Sequence, residues 1–248
     1  MRIAIRPEID EIVVGDYHEE QARAVAAAQG GSKAKAVFVE ARDARSVRTA
    51  IAGCDALIKA TQHFWNITMM HAAAAAGVHH TDMGGLFHVT KQQVELAGEF
   101  EKAGVTAVIA MGGAPGVTSI LAKYGAEQLD MVEEAHALCG NVDDTDWSTH
   151  EGWVVPYSLE TLCDEFSVTA PEFVGGHRNM DITGGEGQED LDFGAPAGIL
   201  AAHYTIHSEP FTLWHTWKDQ GLRSATFKLS LPAESTAQMR EILAAPEG

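Results

Sequence analysis

MRIAIRPEIDEIVVGD, residues 1–16, contains two short apolar runs, Ile3-Ala4-Ile5 and Ile12-Val13-Val14, each of strand composition. Asp16 closes the second run, where the second strand of a dinucleotide-binding unit presents an acid to a ribose. A glycine loop and a helix separate the two strands in such a unit. Here only Arg6-Pro7-Glu8-Ile9-Asp10-Glu11 lies between them. The stretch therefore predicts either a doubly wound sheet lacking part of its first βα unit or no nucleotide fold at all. The rest of the chain decides between the two.

From residue 17 to about 113 one pattern repeats: an apolar helical stripe, a glycine, and a short apolar run. Ala22, Val25 and Ala26 precede Gly30-Gly31 and AVFVEARD; Val47, Ala50 and Ile51 precede Gly53 and DALIKAT. Ile67, Met70 and Ala74 precede Gly77 and VHHTDMGG; Val94, Ala97 and Phe100 precede Gly104 and VTAVIAMGG. Glycine just past a helix supplies the left-handed residue that ends it, and Asp43 and Asn66 stand where N-caps belong. Strands alternating with helices of this length predict βαβ crossovers and a parallel sheet covered on both faces. After Met131 the pattern changes. VEEAHALCGNV, AAHYTIHSE and ATFKLSLP read as strands, with a polar stretch to about residue 190 and a final helix near Ala233–Leu243. The fold class predicted is α/β: a doubly wound, Rossmann-like parallel sheet over 1–130, incomplete at its first βα unit, with a second α+β domain over 131–248.

Asp and Glu outnumber Lys and Arg by 35 to 17, for a net charge of −18. Such a surface repels phosphate backbones, so nucleic acid is not expected as a partner. No run approaches the roughly 18 apolar residues of a membrane span, and the N-terminus carries no apolar signal core, so a cytoplasmic protein is expected. Cys54, Cys139 and Cys163 form no CxxC pair and fit reduced thiols. The histidines offer no zinc-type spacing, and no metal is expected. His79 and His80 alternate across a strand, whereas His203 and His207, four apart, could share a face if their run is extended.

In open parallel sheets ligands lie beyond the carboxyl ends of the strands. That rule selects Asp16, Asp43, Thr61, the run Asp82-Met83-Gly84-Gly85, and the turn Gly112-Gly113-Ala114-Pro115-Gly116. The turn reads equally as an anion-facing loop at a helix N-terminus and as an ordinary tight connection. Lys59 sits inside an apolar strand, either as an amine of depressed pKa or as a paired charge.

Long stretches, AIAGCDALIKATQHFWNITMMHAAAAAGVHHTDMGG (residues 50–85) and AGEFEKAGVTAVIAMGGAPGVTSILA (97–122), resemble the saccharopine dehydrogenase family, including lysine 6-dehydrogenase. VPYSLETLCDEFSVTAPEFVGG, DFGAPAGILAAHYTIHSEPFTL and ATFKLSLP resemble that family's substrate domain, and YTIHSEP leans toward the lysine 6-dehydrogenase branch. The resemblance implies a glycine loop and helix missing between Ile5 and Arg6, and a chain that stops early at its C-terminus. It implies oxidation at the CH–NH group of an amino acid, a lysine or lysine-derived amine, in a homodimer. Cofactor contacts are implied for Asp16, Tyr17, Thr61, Asp82, Gly84 and Gly85. Asp16 followed by Tyr17, and not by Arg, implies NAD over NADP. Ala114, Pro115, Gly116 and Ser158 are the expected substrate contacts, with His207, Glu209 and Tyr157 as catalytic candidates. The alternatives are a silent remnant acting by association and an α/β enzyme that binds a small anion without NAD.

Overall fold

The structure, a computed structural model, describes residues 2–245. The chain forms two compact units, Met1–Asp82 with Gln92–Ile109, and Met83–Lys91 with Ala110–Gly248. No helix among the described residues is long and apolar enough to cross a membrane.

Unit 1 runs β1 (Ile12–Asp16), α1 (Glu19–Val25), β2 (Ala34–Phe38), α2 (Ala44–Ala50), β3 (Ala56–Lys59), α3 (Asn66–Ala76) and β4 (His79–Asp82). Helix α4 (Phe87–Glu95) crosses from unit 2 back into unit 1, which ends with α5 (Ala97–Ala103) and β5 (Ala107–Val108). Local chemistry explains the boundaries. The Asp43 carboxylate caps α2 by accepting from the Arg45 N–H at 2.9 Å. Gly77 and Gly104, at φ 68, end α3 and α5 in the left-handed region. Asn66 departs from expectation. It is the first residue of α3, not its cap, because its buried amide donates to Gln93 Oε1 at 3.1 Å. Ala72 and Ala73, fully buried, bring α3 close to α2 around Val47, Ile51, Met70 and Phe100.

The parallel sheet is in two pieces. β1 pairs with β2 from Ile12↔Ala34 to Asp16↔Phe38, and β3, β4 and β5 form a separate parallel sheet. Doubly wound sheets of the commonest type have strand order 3-2-1-4-5-6. Here β2-β1 matches the 3-2 half and β3-β4-β5 the 4-5-6 half; the central strand has no counterpart among the described residues. The predicted strand at Ile3–Ile5 is corrected: Arg2–Ile5 is a 3-10 turn. Three apolar residues followed by Arg6-Pro7 are too short and too abruptly broken to pair inside a sheet. The fold class stands, including its incompleteness at the first βα unit.

Unit 2 contains α6 (Val117–Ala126), β6 (Glu134–Gly140), α7 (Leu159–Ser167), β7 (Thr169–Val174), β8 (His177–Thr183), β9 (Glu189–Asp192), β10 (Ile199–Tyr204), α8 (Glu209–Trp217), β11 (Ser224–Ser230) and α9 (Ala233–Ala244). Every residue of β11 is buried. One of its edges pairs in parallel with β6, from Ser224↔Glu134 to Ser230↔Gly140. It also pairs antiparallel with β7 at Ala225 and with β10 at Lys228 and Leu229. The segment read as polar up to residue 190 therefore holds a helix and two strands, fixed by the buried residues Leu162, Phe166, Ala170 and Phe173.

The units also divide differently from a cut at residue 130. Phe87 packs on Phe173 and Phe211, and α6 packs on β6 and α8, so 83–91 and 110–130 belong to unit 2.

Ile58 on β3 is 50% exposed, as a residue beside an unfilled strand position should be, whereas Val47 on α2 is 1% exposed. Ile58→Thr should therefore change stability by less than about 0.5 kcal/mol. Val47→Thr, which buries a hydroxyl, should cost roughly 1–3 kcal/mol. Urea denaturation of the two variants checks this; equal costs would mean that β3 is covered as a central strand is.

Candidate active site

Two glycine-bearing turns meet in unit 2. Gly84 has φ 113, and a Cβ there would lie 2.4 Å from Pro115 Cγ. A Cβ on Gly112 would lie 2.7 Å from the Met83 carbonyl oxygen, and one on Gly116 (φ 130) 2.3 Å from that of Gly112. These glycines are required by close backbone approach. The N–H groups of Val117 and Thr118 donate to the Gly112 and Gly113 carbonyls at 3.1 and 3.2 Å. These two donors are engaged within the turn, as a tight strand-to-helix connection requires.

Helix α6 starts directly after Gly116 and carries Thr118, whose hydroxyl donates to Glu209 Oε1 at 2.7 Å. Glu209 opens α8, where the helix dipole favours a carboxylate. Its other oxygen is hydrogen-bonded to His207 Nδ1. The far imidazole nitrogen, Nε2, lies 3.9 Å from Glu165 Oε1, and Glu165 Oε2 accepts from the Tyr157 hydroxyl. The ring of Phe227 stacks on His207 with centroids 3.9 Å apart and planes at 9°. Next to His207, the Ser208 hydroxyl donates to the Gly85 carbonyl. Tyr157, Glu165, His207, Glu209 and Thr118 thus form one continuous polar line through an apolar interior.

Burial acts on Glu165, Tyr157 and His207. It pushes Glu165 up to about 7, against the pull of His207 and the Tyr157 hydrogen bond. Burial also drives the Tyr157 phenol well above its ordinary value, so the hydroxyl keeps its proton. It would lower His207, but the Glu209 charge, the hydrogen bond to Glu209 and the Glu165 charge together raise the imidazole. An imidazole between two carboxylates, one of them poised near neutrality, can take up or release a proton without exposing charge to solvent.

The sequence singled out His207, Glu209 and Tyr157, and the structure brings them together, though not by strand alternation. The strand ends at Tyr204 and α8 begins at Glu209, with Pro210 in its first turn, so the pair spans a loop-to-helix junction. His203 remains on β10, and the shared strand face with His207 is not found. Ser158, expected as a substrate contact, caps α7, accepting from the Thr161 N–H at 3.4 Å and donating to Glu160 at 3.0 Å. Glu165 and Thr118 were missed. The signal for Glu165 was an acid at a core position of an amphipathic helix, between Leu162 and Phe166.

Asp16, Tyr17, Thr61 and Asp82 belong to unit 1. Asp16 Oδ1 accepts from the His18 N–H at 2.7 Å, and Tyr17, more than half exposed, packs on Phe38. Asp82, expected as a cofactor or water contact, ends β4. Its carboxylate is fully buried, bonded to His80 Nε2 at 3.0 Å and Gln93 Nε2 at 2.6 Å. The Lys59 ammonium, opposite Asp82 in the β3–β4 register, donates to the Thr61 carbonyl at 2.7 Å. Burial lowers its pKa to about 8, partly offset by Asp82. Of the two readings of Lys59, the amine of depressed pKa is the one that matches.

A dinucleotide can be tested against these residues. The pyrophosphate in this fold needs the glycine turn and helix N-terminus that follow the central strand. No strand among the described residues pairs the outer edges of β1 and β3, and the Val117 and Thr118 N–H groups at the start of α6 are engaged within the Gly112–Gly116 turn. The ribose acid is present and the phosphate cradle is not. The residues therefore do not fit a complete dinucleotide.

Residues 2–108 match the family model described as "Saccharopine dehydrogenase NADP binding domain". Among solved structures the chain is similar to apo saccharopine dehydrogenase (L-Glu forming) from Saccharomyces cerevisiae, with a TM-score of 0.71 at 14% identity. That match covers 98% of this chain and 54% of the yeast chain, so the protein spans about half the length of the structure it matches. An NADPH-dependent quinone oxidoreductase from Escherichia coli matches at a TM-score of 0.33 and 16% identity, covering 56% of this chain and 48% of that one, too loosely to bear on the fold.

One further buried acid lies against the site. Glu172 on β7 accepts from the Phe227 N–H at 3.0 Å, while its other oxygen has no partner among the described residues. Burial pushes its carboxyl up to about 8. Since the folded state holds this proton more tightly than the unfolded chain, the group's effect is absent below about pH 4.5 and grows as pH rises through 8, lowering stability. Glu172→Gln keeps the acceptor for Phe227 and should stabilise the protein more at pH 8.5 than at pH 5. Thermal unfolding at the two values measures it; an equal shift at both would mean the carboxylate is solvated.

Proposed function

We propose that this chain, whose residues 2–108 match the family model described as "Saccharopine dehydrogenase NADP binding domain", is an amino-acid oxidoreductase whose unit 2 handles the proton of an amine substrate. The observation that supports this is His207, buried between Glu209 and Glu165 with Tyr157 beyond them. Oxidation of a CH–NH group to an imine and its hydrolysis both require a proton to leave and return near neutral pH. A histidine with carboxylate partners suits that task. The substrate class is a lysine or a lysine-derived amino acid, whose ammonium complements the acidic line.

The finer cofactor reading is NAD. The carboxylate of Asp16 repels a 2′-phosphate. Arg42, which follows β2, is held in a bidentate pair with Glu40, at 2.9 and 2.7 Å, so its guanidinium is already neutralised. The family's name points to NADP, and a comparison of the two cofactors decides. The split sheet favours a second reading, in which the open edges of β1 and β3 serve association with another polypeptide or a second copy of the chain. A single sharp monomer peak in size-exclusion chromatography across concentrations would remove it.

Isothermal titration with NADH should show no micromolar binding to the chain as it stands. Inserting a strand, glycine turn and helix between Ile5 and Arg6 should restore binding and lysine-dependent reduction of NAD. In that completed protein, His207→Gln should lower turnover by about 10²-fold, the scale of general acid–base catalysis, with little change in melting temperature. If turnover survives while the protein melts early, the His207 line is structural.

A further inference from the structure

A second concavity in unit 2 has no part in the His207 line. It is a cavity of about 620 Å³ lined by the loop after β6, by β10 and by α9, and none of Tyr157, Glu165, His207 or Glu209 borders it. Its polar wall combines the Arg240 guanidinium and His203 with the Gln188 amide and the carboxylates of Asp143 and Asp144. The Arg240 guanidinium lies 3.1 Å from His203 Nε2, and no ion pair to Arg240 is found among the described residues. Arg240 is exposed, so its guanidinium is open to a ligand entering the cavity.

His203 Nε2 lies between the Arg240 guanidinium, which only donates, and Gln188 Oε1 at 3.3 Å, which only accepts, and both contacts leave the ring's Nδ1 untouched. That Nδ1 is buried and has no hydrogen-bond partner among the described residues, and the same holds for Ser230 Oγ. Burial, then Arg240 and Lys228, lowers the His203 pKa, which keeps the ring neutral. Unpaired buried polar atoms are uncommon in folded proteins, and each such group needs a reason. Leu200, Leu231 and Ala237 supply an apolar wall of short reach. At the exposed rim stand Asp143 and Asp144. Asp143 is held by the Thr145 N–H at 2.9 Å and Trp147 Nε1 at 2.7 Å, which leaves Asp144 as the rim's second charge.

We propose that this cavity binds a small amino acid as its zwitterion. The carboxylate accepts from Arg240, the ammonium turns to Asp144 at the rim, and a short aliphatic side chain lies against Leu200, Leu231 and Ala237. A simple carboxylate would satisfy Arg240 but face Asp144 unshielded, and a simple amine would leave Arg240 unmet. The site is additional to the proton-handling line and does not rest on it.

The test is isothermal titration of the full chain with L-norvaline, pentanoate and butylamine. Norvaline should bind saturably, pentanoate several-fold more weakly, and butylamine without saturation. Arg240→Gln should weaken norvaline binding by at least about tenfold, the scale of losing a charge-assisted pair. Arg240→Lys, which keeps the charge and loses the fork, should fall between. Asp144→Asn should weaken norvaline and leave pentanoate unchanged or improved; this rim change also keeps the test open if an Arg240 variant folds poorly. Unchanged norvaline affinity in Arg240→Gln, butylamine binding as tightly as norvaline, or no saturable binding of any of the three overturns the proposal. Because the readout is binding without a dinucleotide, its failure leaves the turnover test of His207 untouched, and the converse holds too.

Discussion

Phe227 carries two interactions on which unit 2 depends. Its N–H is accepted by the buried Glu172 carboxyl, and its ring stacks flat on His207. One residue of the fully buried strand β11 thus ties a buried acid to the imidazole at the centre of the polar line. Ionising several carboxyls in so apolar a place is prohibitive unless protons or cations share the charge. Glu165 and Glu172 respond by holding protons into the neutral range, while Glu209 is matched by His207 and Thr118. The arrangement is stable only with protons distributed among its members, which is the condition under which a site can exchange them.

Unit 1 is governed by a different constraint. A parallel sheet stays dry because helices cover both faces and every inner edge is paired. Here the pairing stops at β1 on one side and β3 on the other, and Ile58 is left half exposed. The unit nevertheless keeps a packed core, because α2 and α3 join through Val47, Ile51 and the alanines of α3. Helix packing supplies what the broken sheet does not. The same gap removes the phosphate cradle, so a single topological absence accounts for both the split sheet and the lack of a complete dinucleotide site.

Much of this was legible in the sequence because it rests on local rules. Gly77 and Gly104 announced helix ends, Asp43 announced a cap, and the six residues between Ile5 and Ile12 announced the incomplete unit. What failed depended on partners far along the chain. Asn66 looked like a cap until Gln93, 27 residues on, took its amide. The enclosure of Asp82 by His80 and Gln93 likewise could not be read from its own segment. Ser158 was placed in the site by resemblance, although its own spacing to Thr161 reads as a capping position.

His207 and Glu209 show how a correct pairing can follow from a wrong geometry. Two residues apart on a strand they would share a face, yet the chain leaves the strand at Tyr204 and enters α8 at Glu209. The helix start does more than alternation would. It places the Glu209 carboxylate at the positive end of α8 and within reach of Thr118 on α6, which a strand position would not provide. Glu165 arrives from a third element, α7, as the acid in an otherwise apolar helix face. A histidine and an acid two apart are common and carry little information. An acid at a core position of an amphipathic helix is rare, because burying it costs more than any local preference can return. The residue that sequence reading passed over was therefore the stronger sign that the interior of this unit is built around a proton.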